Sequence, residues 1–179
     1  MGGVGADFLD GGEGDDFAFY SGAASGVTVS LSDASKNTGE AAGDTYASIE
    51  WLLGSAFSDT LEGDQNGNSL QGFEGNDHLI GLAGNDTLVG EGGSDTLEGG
   101  EGDDRYIIDT PDDLVIELAG EGDDVVIART DVRLRPHIER VVLDGDAAQN
   151  LSVLGNSQAN WIYGDDGNNR LDGLLGTNT

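Results

Sequence analysis

The sequence contains no cysteine, two prolines, and seven lysine and arginine residues against 35 aspartate and glutamate residues. The absence of cysteine excludes disulfide bonds and thiolate metal sites. The net charge of −28 argues against binding to the phosphate backbone of nucleic acids. No apolar run approaches the roughly 18 residues of a membrane-spanning helix, so none is predicted. An acidic chain with few aromatic residues is ordinarily disordered, so the arrangement of the acids decides how this one is interpreted.

Glycine is abundant, with 31 of 179 residues, and it recurs at a fixed spacing. Six consecutive nine-residue units run from Gly54 to Ile107 without a break. The first position is always glycine: Gly54, Gly63, Gly72, Gly81, Gly90 and Gly99. The sixth is Asp or Asn: Asp59, Asn68, Asp77, Asp86, Asp95 and Asp104. The eighth is large and apolar: Leu61, Leu70, Leu79, Leu88, Leu97 and Tyr106. A fixed short period predicts a solenoid of stacked units.

The last three positions of each unit alternate between polar and apolar residues, which predicts a three-residue strand with its middle side chain inward. The six glycine-rich positions before it are typical of tight turns. Two units then form one coil, and turns on the same side lie 18 residues apart in the sequence. This arrangement predicts two ladders, one of Asp59, Asp77 and Asp95 and one of Asn68, Asp86 and Asp104, with Asp104 as the end of the second.

The aspartate ladders are expected to bind calcium. Stacked strands are about 4.8 Å apart and a calcium–oxygen bond is about 2.4 Å, so an ion between two turns is within reach of an Asp from each. Backbone carbonyls of the turns, which we expect to lack a sheet partner, can supply further oxygens. Without a cation, the ladder would stack like charges at sheet spacing, which is destabilising.

These units resemble the haemolysin-type calcium-binding repeats, or repeats-in-toxin (RTX), with the pattern G-G-x-G-x-D-x-(large apolar)-x. The closest matches begin at Gly99, Gly2 and Gly11, and the last two place Asp7 and Asp16 at the ligand position. The resemblance implies an all-β fold, a parallel β-roll or β-helix solenoid with calcium between its turns. It also implies that each ion binds carbonyls at positions two and four of the earlier turn and one and three of the later turn.

At least four candidate calcium sites follow in the central block. One takes Phe73, Gly75 and Asp77 with Gly90, Gly92 and Asp95, and its opposite number takes Leu82, Gly84 and Asp86 with Gly99, Glu101 and Asp104. The Asp59/Asp77 site adds Gly72 and Glu74, and the Asn68/Asp86 site adds Gly81 and Ala83. We expect these two sites to be weaker because Ser55, Phe57, Asp64 and Asn66 replace turn glycines and Asn68 carries no charge.

The chain divides into five predicted segments: 1–19, with two N-terminal repeats; 20–53, with strands that continue the solenoid; 54–108, the central roll; 109–154, strand-rich with a degenerate turn; and 155–179, with RTX-like repeats. Ile49, Trp51 and Leu53 are expected to point inward. Ala18 stands where a large apolar residue is usual, which leaves open a shift of register there. Asp124 is a further candidate ligand, whereas Asn160, Asn169 and Asn178 are expected to bind calcium poorly.

The resemblance implies a calcium-binding module of a secreted bacterial protein, located outside the cell or on its surface, that folds on calcium after export through a type I secretion apparatus. An alternative is a module that binds an anionic polysaccharide through Arg129, Arg133, Arg135 and Arg140. No His-Glu-x-x-His or Gly-x-Ser-x-Gly motif is present, and the sequence predicts no catalytic site. Both ends fall within repeats, so a fragment of a longer protein is expected.

Overall fold

The computed structural model describes residues 2–145 and 149–174. Within them, short strands alternate with turns: β1 Phe8–Asp10, β2 Phe17–Phe19, β3 Thr28–Ser30, β4 Thr45–Ala47, β5 Trp51–Leu53, β6 Thr60–Glu62, β7 Ser69–Glu74, β8 His78–Ala83, β9 Thr87–Gly92, β10 Thr96–Glu101, β11 Arg105–Ile108, β12 Leu114–Ile116, β13 Val125–Ala128, β14 Val132–Arg133, β15 Arg140–Leu143, β16 Ser152–Leu154, β17 Trp161–Tyr163 and β18 Arg170–Asp172. The helices are two 3-10 turns, Ala34–Lys36 and Gly39–Ala41.

Every pairing between these strands is parallel, and neighbours in a sheet are one coil apart. One sheet has the order β12-β10-β8-β6-β3, and the other has the order β17-β15-β13-β11-β9-β7-β5-β2. Two smaller sheets pair β1 with β4 and align β14-β16-β18. Successive strands of the central block alternate between the two large sheets, as two units per coil require. The prediction of an all-β parallel solenoid is confirmed.

The core is a double row of the eighth-position side chains. Leu61, Leu79 and Leu97 are in register on one sheet, and Leu70, Leu88 and Tyr106 are in register on the other. All six are fully buried. Burying each of them contributes on the order of 2 kcal/mol. Because the inward row fixes which residue of each strand faces the core, it also fixes where the preceding turn residues lie.

The strands of the central block are longer than predicted. Strands β7 to β10 each have six residues, because pairing resumes beyond the first glycine of the next unit, as in Gly100 opposite Leu82 and Glu101 opposite Ala83. The turn carbonyls at position three therefore have sheet partners. Those of Gly92 and Glu101 accept hydrogen bonds from the N–H groups of Gly75 and Gly84, both at 2.8 Å.

The inward residue of β5 is Leu52, which is fully buried and pairs with Leu70. The expected alternation of Ile49, Trp51 and Leu53 toward the core is therefore wrong for Trp51, which lies half-buried against the ring of Phe17 at 5.1 Å. The strand follows the row of its neighbour rather than its own pattern of large residues. The same constraint keeps Ala18 buried between two exposed phenylalanines, without a shift of register.

Residues 20–53 supply β3, β4 and β5, which join three of the sheets. Residues 109–145 and 149–154 supply β12 to β16, which add further coils to the same stack or begin the three-stranded sheet. Over the residues that the structure describes, no helix has the length and apolar character to cross a membrane.

Candidate metal centres

The sixth-position residues form two ladders of hydrogen bonds along the edges of the solenoid. In one ladder, the N–H of Asp59 donates to Oδ1 of Asp77 and the N–H of Asp77 donates to Oδ1 of Asp95, both at 2.8 Å. In the other, the N–H of Asn68 donates to Asp86 at 2.6 Å and that of Asp86 donates to Asp104 at 2.8 Å. Each carboxylate thus lies beneath the corresponding residue of the preceding coil and is almost completely buried.

Both ladders are longer than the sequence indicated. The N–H of Asp104 donates to Oδ1 of Asp124 at 2.9 Å, and the N–H of Asp124 donates to Glu139 at 3.1 Å. The N–H of Asp95 likewise donates to Asp113 at 3.2 Å. The expectation that Asp104 ends its ladder is therefore wrong. The spacing from Asp104 to Asp124 is 20 residues rather than 18, so the period alone could not reveal the next rung.

Two kinds of turn alternate with the strands. In the first kind, which we call open turns, positions two and four both have positive φ. Glycine satisfies this at both positions in the turns that begin at Gly2, Gly11 and Gly99. In the turns that begin at Gly72, Gly81 and Gly90, position two is instead Phe73, Leu82 or Glu91, with φ of 77°, 81° and 64°. A side chain with positive φ is held there at a cost of about 1–2 kcal/mol.

Every open turn leaves one carboxylate oxygen buried without a hydrogen-bond partner. These oxygens are Oδ2 of Asp7, Asp16, Asp77, Asp86, Asp95 and Asp104. In the central turns the oxygen faces the first glycine of its own unit, since a Cβ at Gly72 would lie 2.1 Å from Oδ2 of Asp77. A buried, unpaired carboxylate oxygen is costly. A calcium ion, which binds carboxylate and carbonyl oxygens, fits this donor set.

The second kind, which we call closed turns, satisfies its own sixth residue. In the turn before β6, Ser55 donates its N–H to Oδ2 of Asp59 at 2.5 Å and its hydroxyl to Oδ1 at 2.9 Å. In the next turn, the N–H of Asp64 donates to Asn68 at 2.7 Å. Neither Ser55 nor Asp64 has positive φ. The replaced glycines at positions two and four therefore coincide with turns whose side-chain oxygen already has partners.

The predicted carbonyl ligands lie in the open turns beside these carboxylates. Those at position three, on Gly92 and Glu101, already accept one hydrogen bond each. A carbonyl oxygen has two lone pairs and retains capacity for a cation. At Gly81, a Cβ would lie 2.6 Å from the carbonyl oxygen of Gly99, which shows how closely successive first-position glycines stack.

The buried carboxylates hold protons more strongly than exposed ones. Burial raises the pKa of Asp77, Asp104 and Asp124 to about 7 and that of Asp86 and Asp95 to about 6. The hydrogen bond from the backbone opposes the shift, and neighbouring carboxylates reinforce it. A divalent cation at these oxygens therefore competes with protons near neutral pH.

The outer repeats differ from each other. At the amino end, the N–H of Asp7 donates to Asp44 and that of Asp16 donates to Glu50, both at 2.9 Å. At the carboxyl end, the turns are closed: Asn156 and Asp165 donate their N–H groups to Asn160 and Asn169 at 3.0 and 2.9 Å. Asn178 lies outside the described residues.

The arginines expected on one face are only partly available to a ligand. Arg129 pairs with Asp144 at 3.1 Å and Arg140 pairs with Asp123 at 3.0 Å. Arg133 and Arg135 are exposed and line a groove of about 600 Å³, together with Asp113 and Asp131. The groove thus presents charges of both signs, and polysaccharide binding stays a prediction.

Sequence reasoning missed Glu50, Asp113, Glu117 and Glu139 as neighbours of the ladders. Asp113 lies 18 residues after Asp95, so the period could have indicated it. Its turn is closed by Thr110, whose hydroxyl donates to Asp113 at 2.8 Å. Glu50 and Glu139 occupy rungs that only the strand pairing identifies, because no nine-residue unit surrounds them.

A family model described as the RTX calcium-binding nonapeptide repeat (4 copies) matches residues 1–22, 71–106 and 152–179, just under half of the chain. The middle segment contains all four central open turns, whereas the closed turns before β6 and β7 lie outside it. A search of curated proteins found no relative of the whole chain.

Proposed function

We propose that this chain, an RTX-type repeat module, is a calcium-dependent folding unit of a secreted bacterial protein. The carrying observation is the set of six open turns, each with a buried carboxylate oxygen that lacks a partner. Folding outside the cell would then wait for calcium, so the chain would cross a type I secretion apparatus unfolded and stabilise its parent afterwards. RTX repeats occur in secreted bacterial proteins, and the absence of cysteine is compatible with that location.

The best-formed sites are the two whose turns are both open. One would be held by Asp77 and Asp95 and the other by Asp86 and Asp104, each with four backbone carbonyls from positions two and four of one turn and one and three of the next. Two carboxylates and four carbonyls give six oxygens, within the range that calcium takes. The bound ion would supply charge neutralisation and a link between coils. The RTX repeat itself is a structural, calcium-binding unit rather than a catalytic one.

Calcium binding would favour the folded state by mass action. At free calcium about 100 times the dissociation constant, each ion contributes roughly 2.7 kcal/mol. Each ion also cancels two units of a net charge of −28, which reduces self-repulsion. Several such sites would together match the stability of a typical domain.

Far-ultraviolet circular dichroism tests this function. We expect mostly coil in chelator and a cooperative gain of β signal in millimolar calcium. Magnesium should not substitute, because it demands a tighter octahedral shell. Sodium chloride should compact the calcium-free chain without the β transition. A protein that is fully folded in chelator, or that folds equally well in sodium chloride, would contradict the proposal.

A further inference from the structure

The coil between Asp104 and Asp124 has a residue that the regular coils lack. Strand β12 pairs with β10 in the register Leu97 to Val115 and Glu98 to Ile116. Continuing this register places Glu117 opposite Gly99, at the first position of the next turn. A Cβ at Gly99 would lie 2.0 Å from Oδ2 of Asp104, so a side chain is excluded from that place in a regular turn. The two additional residues of this coil coincide with the exception.

Glu117 brings a third carboxylate to this rung. One oxygen each from Asp104, Glu117 and Asp124 lie within 4.8 Å of one another, and all three residues are buried. Two oxygens bound to one calcium ion at about 2.4 Å are at most about 4.8 Å apart. A single ion can therefore contact all three carboxylates.

The three carboxylates have unused ligand capacity. Glu117 is 6% exposed, and its Oε2 has no hydrogen-bond partner. Oδ2 of Asp104, which is 1% exposed, likewise has none. The ion pairs found among the described residues involve none of the three. Three buried acids without a basic partner require either protons or a cation.

Tyr106 positions Glu117. It stands where the other central units have an inward leucine, and its ring is fully buried. Its hydroxyl accepts a hydrogen bond from the N–H of Gly99 at 2.8 Å and donates one to Oε1 of Glu117. One oxygen of Glu117 is thereby anchored, and the other is left for a ligand.

We infer that Asp104, Glu117 and Asp124 form a calcium site outside the repeat pattern, with Tyr106 as a positioning residue. This rests on the proposed function, since it assigns an additional ion to the same ladder. With three carboxylates instead of two, the site has a greater negative charge than a regular rung. Because ligand charge tunes calcium affinity, it is the rung that fills at the lowest calcium concentration.

Glu117→Gln tests the site, because the amide retains an oxygen for the Tyr106 hydroxyl and removes only the charge. Calcium binding is measured by isothermal titration calorimetry and by equilibrium dialysis. We expect the variant to lose one ion per chain, or to weaken the tightest class of sites by about tenfold or more. Glu98→Gln is the matched control, because Glu98 is a half-exposed partner of His78 on the neighbouring strand; it should bind as the unmodified protein does.

Two further variants separate a ligand from a structural residue. Tyr106→Phe should weaken the same class of sites by a smaller factor. Asp124→Asn combined with Glu117→Gln should weaken it little beyond either change alone, since both residues share one ion. If Glu117→Gln keeps the stoichiometry and affinity of the unmodified protein, or if the two losses are independent, the site is refuted. If the unmodified protein binds no calcium, the proposed function itself fails.

Discussion

At the residue scale, a central aspartate has two different oxygens. Oδ1 accepts a backbone hydrogen bond from the coil before it, and Oδ2 is buried without a partner. The first oxygen sets the stacking of coils, and the second is available to a cation. Asp77, Asp86 and Asp104 each lie between two other rungs, so each would serve two ions.

The aspartates should therefore rank by their position in the ladder. Asp77→Ala should damage the sites above and below it and cost about 3–5 kcal/mol of calcium-dependent stability, since each ion contributes roughly 2.7 kcal/mol. It should also blunt the cooperativity of the calcium titration, because stacked repeats are coupled to their neighbours. Asn169→Ala, in a closed turn, is the control and should shift the titration midpoint little. Equal midpoints for the two variants would mean that the ions do not lie between stacked turns.

At the element scale, the backbone of the turn decides whether the carboxylate is available. Positive φ at positions two and four accompanies the open turns, and its absence at position two accompanies the closed ones. The glycines of the repeat have two separate roles there. Some are needed for φ alone, and others also for close approach of the next coil.

Two substitutions separate these roles. Gly12 has φ of 88° and no atom within 4 Å of a Cβ, so Gly12→Ala should cost only about 1–2 kcal/mol of strain. Gly93 has φ of 147°, and a Cβ there would lie 1.6 Å from the carbonyl oxygen of Gly75. Gly93→Ala should cost about 2–5 kcal/mol, since overpacking adds to the strain. Urea denaturation in calcium measures both, and equal losses would show that coil contact does not matter.

At the scale of the whole molecule, negative charge and fold oppose each other. The chain carries a net charge of −28 and buries a row of acids along each edge of the solenoid. Calcium ions or protons can relieve this charge. The folded state therefore depends on solution conditions more than on its narrow apolar core.

The calcium-free protein should become more stable as the pH falls. The pKa values of Asp77 and Asp104 are raised to about 7 when folded, against about 3.9 when unfolded. The folded state thus binds more protons between these values, and its free energy of unfolding falls as the pH rises through them. Thermal melts in chelator at pH 5.5 and pH 8 measure this, and the apparent calcium affinity should rise over the same interval. Higher calcium-free stability at pH 8 would contradict the burial of these carboxylates.

The sequence by itself determined the parallel solenoid, the inward leucines and the two ladders of the central block. These follow from a nine-residue period, because side-chain direction repeats with the strand and each unit repeats the same turn. It also indicated that the turns with Ser55 and Asp64 differ from the rest. Such features depend on local conformation, which the residue types of one unit specify.

Only the tertiary structure decided what lies outside the period. Leu52 rather than Trp51 faces the core because β5 must follow the row of Leu70. Asp124 lies beneath Asp104, and Glu117 lies beside both, because strand pairing aligns coils of unequal length. The six-residue strands likewise arise from hydrogen bonds to the next coil. These positions are set by contacts between coils, which the pattern within one unit does not contain.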